Sequence, residues 1–292
     1  MVRLKFSIEL LYDIADPTCD LIFNIHAART RYQTVVAEQL ALNQPVQPLL
    51  YDDAHDGTRH MRLQAHQGQL KLRYDATVDI KHHVESPQRL AEMPISALPQ
   101  QALPYIYPSR YCQSDRLRKL AAREFGLMMP GYERVRAVQQ WVHQRVDFVS
   151  GSSNDSTSAL DTLIAGTGVC RDFAHLMIGL CRALNLPARF VSGIDYGADP
   201  AMGPTDFHAY VEVMLSGRWY LFDPSEVSPP MGLVRIGTGR DAADAAFATV
   251  FGAVRTYAPL IVIEAIEDPQ QGWTLPHLCA DGLSSAHHIT PG

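Results

Sequence analysis

Three observations predict an α+β chain in two parts. They are a change of hydrophobic period near residue 100, a cysteine at the mouth of a predicted helix, and two aromatic-rich strands joined by a two-residue turn.

Over residues 1–85, Leu4, Phe6, Ile8 and Leu10 alternate with polar positions, as do Leu70, Leu72 and Tyr74, with Gly57 and Gly68 as turn points. Period two sends successive side chains to opposite faces, so an antiparallel β-sandwich domain is expected there. Residues 86–107 hold Pro87, Pro94, Pro99 and Pro104, which suit an extended linker; Leu103, Tyr105, Ile106 and Tyr107 are apolar enough to hold it against the domains.

Beyond residue 108 the period becomes 3.6. Ser114 is expected to cap a helix carrying Leu117, Leu120, Ala121 and Phe125 and ended by Gly126, and a second helix carries Val135, Val138, Trp141, Val142 and Val146. A polar loop follows, in which Asn154 is a candidate contact to a substrate or an oxyanion. Ser158 and Asp161 then mark the capped start of a helical turn over residues 159–165.

The stretch Gly166-Thr167-Gly168-Val169-Cys170-Arg171-Asp172 leads into Phe173, Leu176, Met177, Leu180 and Leu184, which recur at helical spacing until Asn185 and Pro187. Cys170 therefore stands at a helix N-terminus, where unpaired N–H groups and the positive end of the dipole favour a thiolate. The segments 206–215 and 218–224 are separated only by Ser216-Gly217, a tight hairpin turn. If Leu215 faces Arg218, Tyr210 lies opposite Asp223. His208 is then the diagonal neighbour of Asp223 on the same face, about 7 Å away. A carboxylate on one imidazole nitrogen fixes the tautomer and leaves the other nitrogen to exchange a proton with a thiol. Singly, a buried cysteine, a histidine in a sheet and a strand-ending Asp-Pro are ordinary structural features. Their order and register point to one site.

The blocks at residues 168–175, 207–213 and 219–224 resemble those of the bacterial transglutaminase-like superfamily, whose fold is related to papain-like cysteine proteases. The resemblance covers about residues 108–265, and the preceding strands resemble the N-terminal domain often found beside this catalytic domain. It implies an α+β, papain-like/transglutaminase-like catalytic domain over residues 108–267 after the β-sandwich, with Cys170 as nucleophile, His208 as base and Asp223 as its partner. The family includes peptidases, transglutaminases and peptide N-glycanases. Thiol chemistry on amide bonds is therefore implied, with the substrate left open.

The composition narrows the partners. A net charge of −6 gives no basic field for nucleic acid, and no apolar run approaches the ~20 residues that span a bilayer. A protein or peptide substrate is expected, with no nucleic-acid or membrane partner; the sequence does not specify oligomeric state. The scattered cysteines Cys19, Cys112, Cys170, Cys181 and Cys279 lack metal-ligand or disulfide-framework spacing. They suggest a reduced, cytoplasmic protein without metal or cofactor. His175 and Cys181 read as core residues, Arg171 and Asp172 as orienting the cysteine, and His82-His83 and His287-His288 as surface histidines.

After the hairpin, residues 227–239 read as a Pro- and Gly-rich loop, 240–246 as a helical turn or a loop over the cleft, 260–265 as a buried strand, and 268–292 as a partly disordered tail. The expected activity is a cysteine peptidase or amidase using a Cys-His-Asp triad and a thioester. Transfer of the acyl group to an amine, or peptide binding without catalysis, are the alternatives.

Overall fold

The structure, a computed structural model, describes residues 1–199 and 205–286. Its largest sheet is built on β1 (Val2–Phe23) and β4 (Arg59–Ile80), each of 22 residues, which pair antiparallel from Val2↔Ile80 to Phe23↔Met61. β2 (Gln33–Leu42) and β3 (Leu49–Asp52) continue the sheet from β4. Leu4, Phe6, Ile8, Leu70, Leu72 and Tyr74 are buried, all at even positions; past a register shift between Ile14 and Thr18 the buried positions become odd, at Cys19, Leu21, Phe23, Met61 and Leu63. Extra residues in β1 at that bulge, opposite Gly68 at φ 107°, re-aim both strands so that the two halves of the sheet share one core.

The other edge of β1 is taken by strands from far along the chain. β12 (Ala248–Phe251), β13 (Val254–Thr256) and β14 (Leu260–Ile266) pair antiparallel with it through Ile22↔Thr249, Tyr12↔Thr256 and Leu4↔Ala265. Residues 248–266, within the span expected as 108–267, thus belong by pairing to the β-rich half. Local pattern marks a strand but not its partner. β14 is also half-exposed rather than buried, with Leu260 and Val262 turned to solvent.

The other half packs α1 (Ser114–Phe125), α2 (Tyr132–Arg145), α3 (Ala159–Ala165) and α4 (Cys170–Ala183) against a four-stranded antiparallel sheet. Its strands are β8 (Ala188–Asp195), β9 (Phe207–Leu215), β10 (Arg218–Phe222) and β11 (Leu233–Gly239), in the order β10-β9-β8-β11. The register Leu215↔Arg218 is the expected one. Residues 233–239, expected in a loop, form the buried strand β11. Its glycines permit close packing: a Cβ on Gly239 would lie 2.5 Å from that of Asp244. Ser114 is the first residue of α1 and makes no capping bond, whereas the Ser158 N–H and Oγ both reach Asp161 Oδ2, at 2.9 and 2.6 Å.

Alternate positions of this second sheet meet different layers. Phe190, Ala209, Val211, Val213 and Phe222 join the helical core. On the opposite side Glu212, fully buried, bonds Arg189 Nε at 2.7 Å and the Arg235 guanidinium. Gln33 bonds the Arg235 backbone, N–H at 2.9 Å and carbonyl at 2.8 Å, while Ile194, Val234 and Ile236 join the core of the β-rich half. The two halves thus share apolar and polar contacts.

The linker forms three 3-10 turns, Pro87–Arg89, Ile95–Ala97 and Gln100–Ile106, and buries Leu90 and Ala102. The tail, as far as it is described, packs back on the rest up to residue 286. β15 (Gly282–Ser284) pairs with β5 (His83–Glu85), Arg3 stacks 3.6 Å over Trp273, and Ser285 and Ala286 are buried. His287 and His288 lie outside the described residues. No helix among the described residues is long and apolar enough to cross a membrane.

Candidate active site

The site begins where short parallel strands β6 (Asp147–Phe148) and β7 (Thr167–Gly168) deliver the chain to α4. Asp172 turns back so that its Oδ2 accepts the Val169 N–H at 2.9 Å, closing the first turn. Gly168 leaves room for this, since a Cβ there would sit 2.7 Å from that of Asp172. Cys170 is thereby held as the first residue of α4, half-buried, its Sγ 3.9 Å from Phe207 O at the start of β9. Arg171 reaches the Asn154 carbonyl at 2.7 Å and Ser153 Oγ at 3.1 Å, fixing the neighbouring loop. Asn154 Oδ1 accepts from Ser156 N–H and Oγ, at 2.9 and 2.6 Å, so this amide oxygen serves a local turn.

His208 lies one residue into β9 and is buried, as is Asp223 just beyond β10. Its Nε2 is 3.3 Å from Asp223 Oδ2, and the Cys170 side chain is near enough to act on its ring electrostatically. With Nε2 turned to the carboxylate, Nδ1 is the nitrogen left for the thiol. The structure therefore brings Cys170, His208 and Asp223 together. Burial opposes charge on His208, but Asp223 and Cys170 prevail and hold the imidazole well above its ordinary range. Burial would likewise raise Asp223, yet His208 and Ser225 keep its carboxyl below the usual value.

Two residues to which the sequence reading gives no role in the site complete this polar group. Ser225 donates to Asp223 Oδ1 from its N–H at 2.9 Å and from its Oγ at 2.6 Å. The Tyr210 ring meets His208 edge-on, with centroids 4.5 Å apart, and its hydroxyl is 2.7 Å from Ser228 Oγ. The expected register had placed Tyr210 on the His208 face, which was the available signal; Ser225 was marked only by following Asp-Pro.

His175 is not part of this group. Its Nε2 accepts the Ala242 N–H at 3.1 Å, Tyr111 stacks on it at 4.9 Å, and burial pushes the imidazole down to about 3. It anchors the loop at residues 241–246 as a neutral ring. A cavity of about 460 Å³ opens behind Asp223, lined also by Tyr132, Arg136, Glu226 and Cys279, but not by Cys170 or His208. Among the described residues no three His, Cys, Asp or Glu side chains are grouped to hold a metal ion.

Residues 118–224 match the core of the transglutaminase-like superfamily, a span that contains all three residues of the cluster, and residues 2–101 match the bacterial transglutaminase N-terminal domain. A crystal structure from Cytophaga hutchinsonii, described as a candidate cysteine protease, is 37% identical and superposes with a TM-score of 0.89 over 98% of each chain. This chain belongs to the transglutaminase-like superfamily. Uncharacterized mycobacterial proteins are also similar: ML0607 of Mycobacterium leprae, 33% identical over 117 residues, and Rv2569c of Mycobacterium tuberculosis, 33% identical over 142. Those alignments cover 38% and 45% of this chain and span less than half of each relative, 42% and 45%. A transglutaminase-like fold with a thiol-bearing site supports a thiol-dependent enzyme in general.

Proposed function

We propose that the protein is a thiol-dependent hydrolase of amide bonds in a protein or peptide substrate. The observation that carries this reading is the single imidazole of His208, 3.3 Å from Asp223 Oδ2 and under the electrostatic influence of Cys170 at the start of α4. Cys170 Sγ attacks the amide carbonyl carbon, and the Cys170 N–H at the helix terminus receives the developing oxyanion. His208, holding the thiol proton, gives it to the nitrogen as the C–N bond breaks, leaving a thioester and a free amine. Water then attacks the thioester; His208 takes its proton and returns it to sulfur as the acid departs. Asp223 keeps the ring oriented and its charge balanced throughout.

Hydrolysis is preferred to amine transfer because no calcium loop of the Asp-x-Asp-x-Asp-Gly kind accompanies the three motifs. A peptide-binding module without chemistry is disfavoured, since binding has no need of a thiol paired with a charged imidazole. A cytoplasmic setting fits the five unpaired cysteines. The test is to offer peptide mixtures to the protein and to Cys170→Ala, and read the products by mass spectrometry. Cleaved or deamidated products made only by the unmodified protein support hydrolysis. Amine-linked products would establish transfer instead, and the same products from Cys170→Ala would sink both.

A further inference from the structure

We propose that Ser225 is a positioning residue that fixes the carboxylate of Asp223 and shares the Nε2–H of His208. The proposal rests on reading Cys170, His208 and Asp223 as the reactive group, but it does not depend on which acyl acceptor is used.

The two oxygens of Asp223 have different surroundings. Oδ1 receives two donors from Ser225, the N–H at 2.9 Å and the hydroxyl at 2.6 Å, while Oδ2 faces His208 Nε2 at 3.3 Å. Two donors on one oxygen set the plane of the carboxylate, so Oδ2 cannot swing away from the imidazole without breaking both. The serine hydroxyl has one proton, and the short contact to an ionised oxygen directs it at Oδ1. Its lone pairs then remain for His208, whose Nε2 lies 3.5 Å from Ser225 Oγ. Nε2–H is thus offered two acceptors, which keeps that proton on Nε2 and commits Nδ1 to the thiol.

The loop around Ser225 is built to hold it there. Ser225 is 7% exposed, and the next residue, Glu226, adopts φ 53°, a left-handed conformation uncommon for a side chain other than glycine. Two residues further, Ser228 is tied to Tyr210 at 2.7 Å, and the Tyr210 ring closes against His208. The backbone turn that carries the serine is therefore fixed at both ends by the residues it serves.

The rate of Cys170 alkylation by iodoacetamide at neutral pH, followed by peptide mapping, reads the thiol–imidazole pair without any substrate. In the full chain, Ser225→Ala should slow labelling of Cys170 by roughly five- to tenfold, the loss of one charge-assisted hydrogen bond. Ser225→Thr, which keeps the hydroxyl, should stay within about twofold. In an Asp223→Asn background, Ser225→Ala should add little, because the carboxylate it positions is gone. Labelling of Ser225→Ala at the unmodified rate, equal slowing by alanine and threonine, or undiminished slowing in the Asp223→Asn background would each overturn the proposal. If Ser225→Ala unfolds, the comparison of Ser225→Thr with Ser225→Val, at matched thermal midpoints, decides between hydroxyl and shape. Products that prove to be amine-linked would correct the proposed hydrolysis and leave this result standing. Failure of Cys170 to label ahead of the other cysteines in the unmodified protein would refute the reactive group itself, and this proposal with it.

Discussion

Along β4 buried and exposed residues alternate over much of its length, whereas every residue of β8 is buried. The first strand shows solvent on one face, and the second is covered on one side by helices and on the other by the β-rich half. A sheet wet on one face leaves a period-two signature in the sequence. A sheet covered on both faces does not, and its few polar residues must then be paired. In this chain they are paired as the buried Glu212 with Arg189 and Arg235, and as His208 with Asp223. The proposed base, His208, sits in the sheet with no free face, which is also where a charge can be held far from its ordinary titration range.

The sharpest way to break this contrast is to remove the polar groups on and beside the covered sheet. Cys170→Ala should eliminate turnover, His208→Ala should lower kcat by about 10⁴-fold, and Asp223→Asn should lose less because nucleophile and base remain. Losses that simply add in the double variants, measured on refolded and thermally matched protein, would deny them a common site.

A deletion of residues 1–101 comes next in effect. It strips β12, β13 and β14 of β1 and uncovers Ile194, Val234 and Ile236, so the remainder should be molten or insoluble by circular dichroism and gel filtration. A monomeric, cooperatively folding remainder with a reactive Cys170 would show the halves to be separable after all.

Glu212→Gln leaves two buried guanidiniums without their carboxylate and should cost roughly 3–5 kcal/mol, seen in urea unfolding. The paired substitutions Val211→Thr and Val262→Thr carry the contrast to a smaller scale. Val211 is fully buried under the helices and should lose about 1–3 kcal/mol to an unbonded hydroxyl, while exposed Val262 should move by under about 0.5 kcal/mol.

Acid should weaken both halves in the same direction. Burial pushes His26 of the β-rich half down to about 4 and His175 of the helical half down to about 3. Each folded value lies below that of the unfolded chain, so the unfolded state binds the extra protons. Their contribution is complete above the ordinary imidazole value of 6.5 and is lost as pH falls toward those lowered values. The urea midpoint should therefore begin to fall below about pH 6.5. A midpoint flat down to the carboxylate range would show that these rings are not buried neutral.

Much of the candidate site was legible before the structure. Cys170 was placed by helical periodicity after two glycines, and His208 and Asp223 by the register of a two-residue hairpin, both local signals. Ser225 was not, because a serine after Asp-Pro gives no hint that its hydroxyl turns back onto the aspartate. In the fold, alternation exposed β1 and β4. It could not reveal β11, whose Gly237 and Gly239 imitate a loop, nor the partner of β14, since pairing between Leu4 and Ala265 is a fact of topology. The tail looked disordered because Leu283 and Ala286 are buried singly, without a period, by neighbours distant in the sequence.

The attachment of β12, β13 and β14 to β1 also sets a clock. During synthesis β4 can cover one edge of β1 early, but the opposite edge stays bare until the ribosome has made residue 266. At ordinary elongation rates that interval is roughly ten to fifty seconds, long compared with the microseconds in which a hairpin forms. Throughout it, the nascent chain displays an unpaired strand edge able to recruit a neighbouring chain on the same message. Closure of this sheet is thus timed by translation more than by the speed of folding.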